Sequence, residues 1–191
     1  MAYPSDIASP SPASQVITVL SKECMGGALG AVLAGTAPSV AFAAGVSTIA
    51  GTAWGTANRA YYVPFVVTEY VTVKKMFWLS TSSTPTYDLA IYREDGTQIV
   101  AAGGATTAGT SATIERDITD TILAPGRYYM AMAQSSGTNT TVCVTVPTVD
   151  LAFLGVYIQD TAYPLPSTAT FATAKGIFIL PFFGLTLEVL V

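Results

Sequence analysis

No histidine occurs among the 191 residues. That removes the commonest general base, the commonest transition-metal ligand and every Ser–His or Cys–His nucleophile pair. Charge is scarce too: Asp, Glu, Lys and Arg make up 10 % of the chain, against roughly 25 % in an ordinary globular domain. The basic residues are scattered, with Lys74-Lys75 the only adjacent pair, so no basic stripe exists to neutralise phosphates. Nucleic acid is therefore not an expected partner. The two cysteines, Cys24 and Cys143, form no CxxC metal or redox motif. A disulfide between them and a pair of buried thiols both fit the sequence.

The familiar catalytic patterns are missing as well. Lys22, Lys74, Lys75 and Lys175 lie in no S-x-x-K setting, and there is no GxxxxGK[ST] phosphate loop. The Gly-rich stretches GVSTIAG and GGATTAG lack the lysine such a loop requires. Candidate carboxylates for paired acid–base work are Asp88, Glu94, Asp95, Glu115, Asp117, Asp120, Asp150 and Asp160. Nearly all fall at turns or on the polar face of alternating strands, where solvated carboxylates are expected. Asp117 and Asp120 are the best candidates for a calcium site, since hard cations favour loop oxygens. Neither pattern is specific, so no catalytic, cofactor or metal residue is assigned and no enzyme is expected.

What is abundant is apolar and small: hydrophobic residues reach 51 % and threonine occurs 27 times. A chain so poor in charge is expected to cover its apolar surface by assembly. Residues 24–58 carry no charge at all. The stretch is long enough to cross a bilayer, which takes about 20 apolar residues, but it is mostly Ala, Gly, Ser and Thr with Pro38 in its middle. Ala41-Phe42-Ala43 looks like a signal-peptidase site, yet the preceding segment carries only Lys22, balanced by Glu23. Neither a membrane span nor a secretory signal is expected.

Pro4, Pro10 and Pro12 mark residues 1–15 as an extended arm. From Arg59 onward Tyr, Val, Ile, Phe and Thr dominate, and turn signals recur every 8–12 residues, as in an all-β sandwich or barrel. AYYVPFVV and TEYVTVKKMFWL read as strands, with Pro64 marking an edge or a bulge. TYDLAIY places Tyr87, Leu89 and Ile91 on one face, and Asp95-Gly96 then turns the chain into TQIVAAG. GGATTAGTS reads as a loop. SATIERDI sets Ala112, Ile114, Arg116 and Ile118 against Glu115 and Asp117. Pro125-Gly126 suits the centre of a type II turn, and the Tyr that follows at a strand start suits a corner whose hydroxyl ties back to nearby backbone. TVCVTV, GIFILPFFG and LTLEVLV close the chain. The reading is an all-β antiparallel sandwich, jelly-roll or Ig-like, of about eight strands over 59–191, with an Ala/Gly-rich anchoring segment over 1–58. Tyr61, Tyr62, Tyr70, Tyr92, Tyr128, Tyr129, Tyr157 and Tyr163, with Trp54 and Trp78, are read mainly as core and secondarily as a stacking surface for sugars.

From Trp54 to about Leu185 the ordered set WGTANRAYYVPF, VKKMFWL, DLAIYREDGTQIV, LAPGRYYMAMA and AYPLPSTATFA resembles small structural proteins of tailed bacteriophages and prophages, loosely called tail-fibre proteins. Each motif alone is a generic strand and turn; the order is what is distinctive. The resemblance, which does not reach residues 1–53, implies a non-enzymatic, oligomeric virion β-sandwich among other virion proteins and does not say whether it sits on tail or capsid. Closed symmetry favours a homo-oligomer, the trimer first, and the uncharged stretch leads us to expect residues 1–58 to be the anchor. The alternative from another class is a carbohydrate-binding module or adhesin that recognises host-surface glycans.

Overall fold

The computed structural model describes residues 47–81, 86–106, 112–146, 155–173, 178–181 and 183–189. Among them no helix occurs. The strands are β1 (Ser47–Ala53), β2 (Ala60–Val67), β3 (Val71–Ser80), β4 (Thr86–Arg93), β5 (Gln98–Ala101), β6 (Ala105–Thr106) and β7 (Ala112–Leu123). They continue with β8 (Gly126–Gln134), β9 (Thr140–Val146), β10 (Tyr157–Gln159), β11 (Ala172–Thr173), β12 (Phe178–Pro181) and β13 (Phe183–Val189). The fold is all-β, with antiparallel pairing throughout the described residues.

Two sheets form. In the first, β9 lies beside β1 and β12, and β3 lies between β7 and β13, while β9 and β3 meet only at Thr141 and Ser80. The second runs β11-β10-β2-β8-β4-β5, with β6 also on β4. From β1 to β4 each successive strand changes sheet, and β7, β8 and β9 do so again. One buried cluster takes side chains from both sheets: Val73, Met76, Trp78 and Leu185 from the first, Tyr61, Phe65, Leu89, Ile91, Met130 and Met132 from the second. The Trp78 and Tyr87 rings meet across the layer with centroids 5.1 Å apart.

Alternation explains most of this. Tyr87, Leu89 and Ile91 do share the inner face of β4. Ile114, Arg116 and Ile118 are shielded on β7 while Glu115 and Asp117 are exposed. The Tyr128 hydroxyl donates to the Ala124 carbonyl at 2.8 Å, the expected tie back across the Pro125-Gly126 corner. The Arg93–Thr97 turn joins β4 to β5, with Gly96 N–H bonded to the Arg93 carbonyl and Gly96 at φ 85°. This is a type I turn closed by a left-handed glycine, a common hairpin solution.

Other readings need correction. Thirteen strands replace the expected eight among the described residues, because short pieces such as β6, β10 and β11 carry too few residues to alternate visibly. The segment 103–111 was expected to be loop, but Ala105–Thr106 pairs with β4 through Thr86 and Tyr87. Gly126 is not left-handed, so the corner is not type II; the residue opens β8 beneath the Tyr128 ring. The edge reading of Pro64 holds only locally: β2 has β8 on one side and β10 on the other, but β10 pairs no further than Tyr62, so at Pro64 that side is unpaired. The sheets also begin before residue 59: β1 pairs with β9, and Trp54 is buried with its indole N–H on the Arg59 carbonyl at 2.9 Å. Cys143 is buried in the core; Cys24, the arm of residues 1–15 and the GALGAVLAG stretch fall outside the described residues.

Gly96 faces two demands at once. Its φ of 85° disfavours a side chain, and an added Cβ would stand 2.7 Å from the Ala169 carbonyl oxygen. Gly96→Ala is expected to lower unfolding free energy by about 1–3 kcal/mol in denaturant titration, whereas a loss within a few tenths would show that the turn is not held this way.

Candidate functional site

The outer face of the second sheet holds the largest concentration of unusual chemistry. Alternation turns Ala60, Tyr62, Ala90, Tyr92, Tyr129, Ala131 and Ala133 away from the shared core, and these residues are nevertheless buried. Their cover is the segment 160–171, which contributes Ala162, Leu165 and Ala169 to a second apolar cluster. Small alanines let the backbone of this strap come close. Pro164 and Pro166 remove two N–H donors that would otherwise need partners, and the Tyr163–Pro164 bond is cis.

Several polar atoms of the strap find partners on the sheet. Ala162 N–H bonds to the Asn58 carbonyl at 2.6 Å, Ala169 N–H to Gly96 at 2.8 Å, and the Ser167 carbonyl accepts from Gln98 N–H at 3.0 Å. The Tyr92 hydroxyl donates to the Pro166 carbonyl at 2.6 Å, and Gln98 Nε2 reaches both of them. Gln159 Oε1 accepts from the Tyr62 hydroxyl and from Thr170 N–H, at 2.9 and 2.8 Å. Arg59 and Asp160 close one end with Nε–Oδ1 at 2.6 Å and Nη2–Oδ2 at 3.2 Å. Burial pushes the Tyr92 hydroxyl up to about 12 and raises that of Tyr62 further, so both remain neutral donors at any ordinary pH.

Asp88 is the exception in this face. It points outward between Tyr87 and Leu89, is only 3 % exposed, and accepts from Leu165 N–H through Oδ2 at 2.8 Å. Its Oδ1 has no hydrogen-bond partner. Burial raises its affinity for a proton, opposed by the Leu165 and Leu89 amides and by the positive charge of Arg116. The expectation that Asp88 is a solvated carboxylate is thus overturned, because the strap that dries it arrives 77 residues later in sequence.

A second polar group lies inside the shared core. Gln134 follows Met130 and Met132 on the inner face of β8, is fully buried, and has no partner for either amide atom. It sits opposite Tyr87 in the ladder. Tyr87 in turn contacts Trp78, whose indole nitrogen also lacks a partner, and shares a 3.0 Å hydrogen bond with Ser80.

The other candidate carboxylates are not brought together. Asp120 pairs with Lys74, Glu115 with Lys75 at 3.1 Å and Glu94 with Arg127 at 3.5 Å, all near the surface. Asp95 caps its own turn through Thr97 N–H, and Asp160 binds Arg59. Among the described residues no three or more Cys, Asp or Glu side chains gather where they could hold a metal ion. Asp150, Lys22 and Lys175 lie outside the described residues. The aromatic residues divide by face: Trp54, Tyr61, Trp78 and Tyr128 enter the shared core, whereas Tyr62, Tyr92, Tyr129, Tyr157 and Tyr163 belong to the strapped face. On that face Tyr157 and Phe171 are half-buried and stacked at 26° with centroids 5.2 Å apart, and the Arg127 guanidinium lies 5.6 Å from the Tyr129 ring centre. Tyr70 is exposed. No helix among the described residues is long and apolar enough to cross a membrane. Comparison with protein families, curated proteins and solved structures finds no match to this chain.

Two substitutions probe these arrangements. Tyr92→Phe removes the hydroxyl bond to the strap and is expected to cost about 1–2 kcal/mol of stability in a denaturant titration; no change would contradict the role given to that hydroxyl. Gln134→Met replaces an unsatisfied amide by an apolar chain of similar size, and is expected to be neutral or to raise the melting temperature. A clear drop would show that the amide is satisfied in solution.

Proposed function

We propose that this chain is a non-enzymatic bacteriophage virion protein, a self-assembling surface component of tail or capsid built on a jelly roll. The observation that carries the reading is strand order. Taking β1-β9-β3-β7 against β2-β8-β4-β5, every step along these strands but β4 to β5 changes layer, as in a double Greek key, an architecture common in capsid and lectin domains. The C-terminal β12 and β13 stand between β9 and β3, which keep a single bridge at Thr141 and Ser80, and β10 extends the other layer. The sequence resemblance points the same way, and low charge fits a surface that is covered on assembly. Tyr70, just before β3, and Ile122, opposite Thr72 in the β3–β7 register, are 57 % and 62 % exposed and suit such a contact. The uncharged segment before β1 is the proposed anchor, and closed symmetry, with a trimer favoured, would bury repeated patches.

A glycan-binding adhesin is the second reading. The stacked, half-buried Tyr157 and Phe171 beside Arg127 and Tyr129 favour it, because sugars stack on such rings. Tyr157→Ala would then abolish binding on a glycan array.

Light scattering on the full chain and on one lacking residues 1–46, which spares β1, tests the leading reading. A discrete oligomer that falls to monomer on truncation is expected. Monomer in both forms would contradict assembly through this segment.

A further inference from the structure

We propose that the segment 160–171 is an acid-closed clasp: Asp88 holds it on the sheet as a neutral carboxyl and loosens it on ionising. The geometry sets this up. The strap is tied to the sheet by hydrogen bonds to Asn58, Gly96, Gln98 and Tyr92, and its middle is gripped by the Leu165 N–H bond to Asp88 Oδ2. The same strap dries Asp88, leaving Oδ1 without a partner. A neutral carboxyl tolerates that position far better than a carboxylate does. Lifting the strap rehydrates the group, so ionisation favours the open form.

The surrounding charges do not cancel this. Across the β4–β8 ladder Asp88 faces Ala133. The cation whose charge reaches it is Arg116 on β7, whose Nη2 is already given to the Ala102 carbonyl at 3.3 Å. On its own face Tyr62 and Tyr92 stay neutral. The ionisable residues of the strap are Asp160 and Tyr163. Asp160, with Arg59, and Asp95, in the turn beneath Ala169, are both held below the ordinary carboxylate range.

The signs separate cleanly. Asp88 has a raised affinity for its proton in the closed form, so its contribution is complete below the ordinary carboxylate value and is lost as pH rises through the raised one. Asp160 and Asp95 act oppositely, and only below the ordinary value. Closure is therefore tightest near the ordinary carboxylate value and weakens above it. Opening would uncover Tyr62, Tyr92 and Tyr129.

Hydrogen exchange on the full chain tests this directly. The reporters are the amides of Ala162, Leu165, Ala169 and Gln98, followed from about pH 4 to about pH 8 and corrected for intrinsic exchange. The opening constant at these sites is expected to rise by up to tenfold (about one power of ten) per pH unit within the Asp88 window, while β8 amides stay unchanged. In Asp88→Asn, which keeps an acceptor for Leu165 without a charge, the dependence should vanish, with unchanged β8 protection confirming the fold. Asp160→Asn should retain it. A flat profile in the unmodified protein, or the same slope in Asp88→Asn, would overturn the proposal.

Discussion

The second sheet is apolar on both faces, and most of the structure answers the need to cover them. β4 and β8 are buried along nearly their whole length rather than at alternate positions. An antiparallel sheet usually leaves one side to water and reads as a clean alternation. Here the inner side meets the first sheet, and the outer side, with its alanines and tyrosines, meets the strap. The tyrosines suit this place because their rings fill space while the Tyr92 hydroxyl satisfies the Pro166 carbonyl of the covering segment and that of Tyr62 the Gln159 side chain beside it.

Double coverage has a cost in unsatisfied polar atoms. Asp88 Oδ1 lies under the strap, and Gln134 and the Trp78 indole lie within the shared core. Such groups are few in native proteins because each costs on the order of 1–3 kcal/mol when buried without a partner. The two places differ in kind. Gln134 is enclosed between sheets and can be relieved only by a change in the core, whereas Asp88 is enclosed by a single segment that can lift. That difference makes one a matter of stability and the other a matter of switching.

The strands were legible in sequence where they alternate over several residues. Tyr87, Leu89 and Ile91 declared the inner face of β4, and Tyr128, Met130 and Met132 that of β8. Gln134 continues the second series by the same period of two, so its burial was readable although its residue type argues against it. The burial of Asp88 was not readable. It depends on residues 160–171, whose own pattern of prolines, threonines and alanines reads as loop and gives no sign of the sheet it crosses. Two-residue strands such as β6 and β11 stay hidden because they contain no periodicity. The functional reading rests on strand order and on the proposed place of an uncharged N-terminal segment.

The coverage of the outer face is the central claim, and ring contacts in solution test it most directly. Phe171 stands 5.2 Å from the Tyr62 ring centre and 4.7 Å from that of Tyr129. Nuclear Overhauser effects between Phe171 ring protons and those of Tyr62 and Tyr129, recorded at about pH 4, near the ordinary carboxylate value, should be strong. Their absence in a folded protein would mean that the strap does not lie on this sheet.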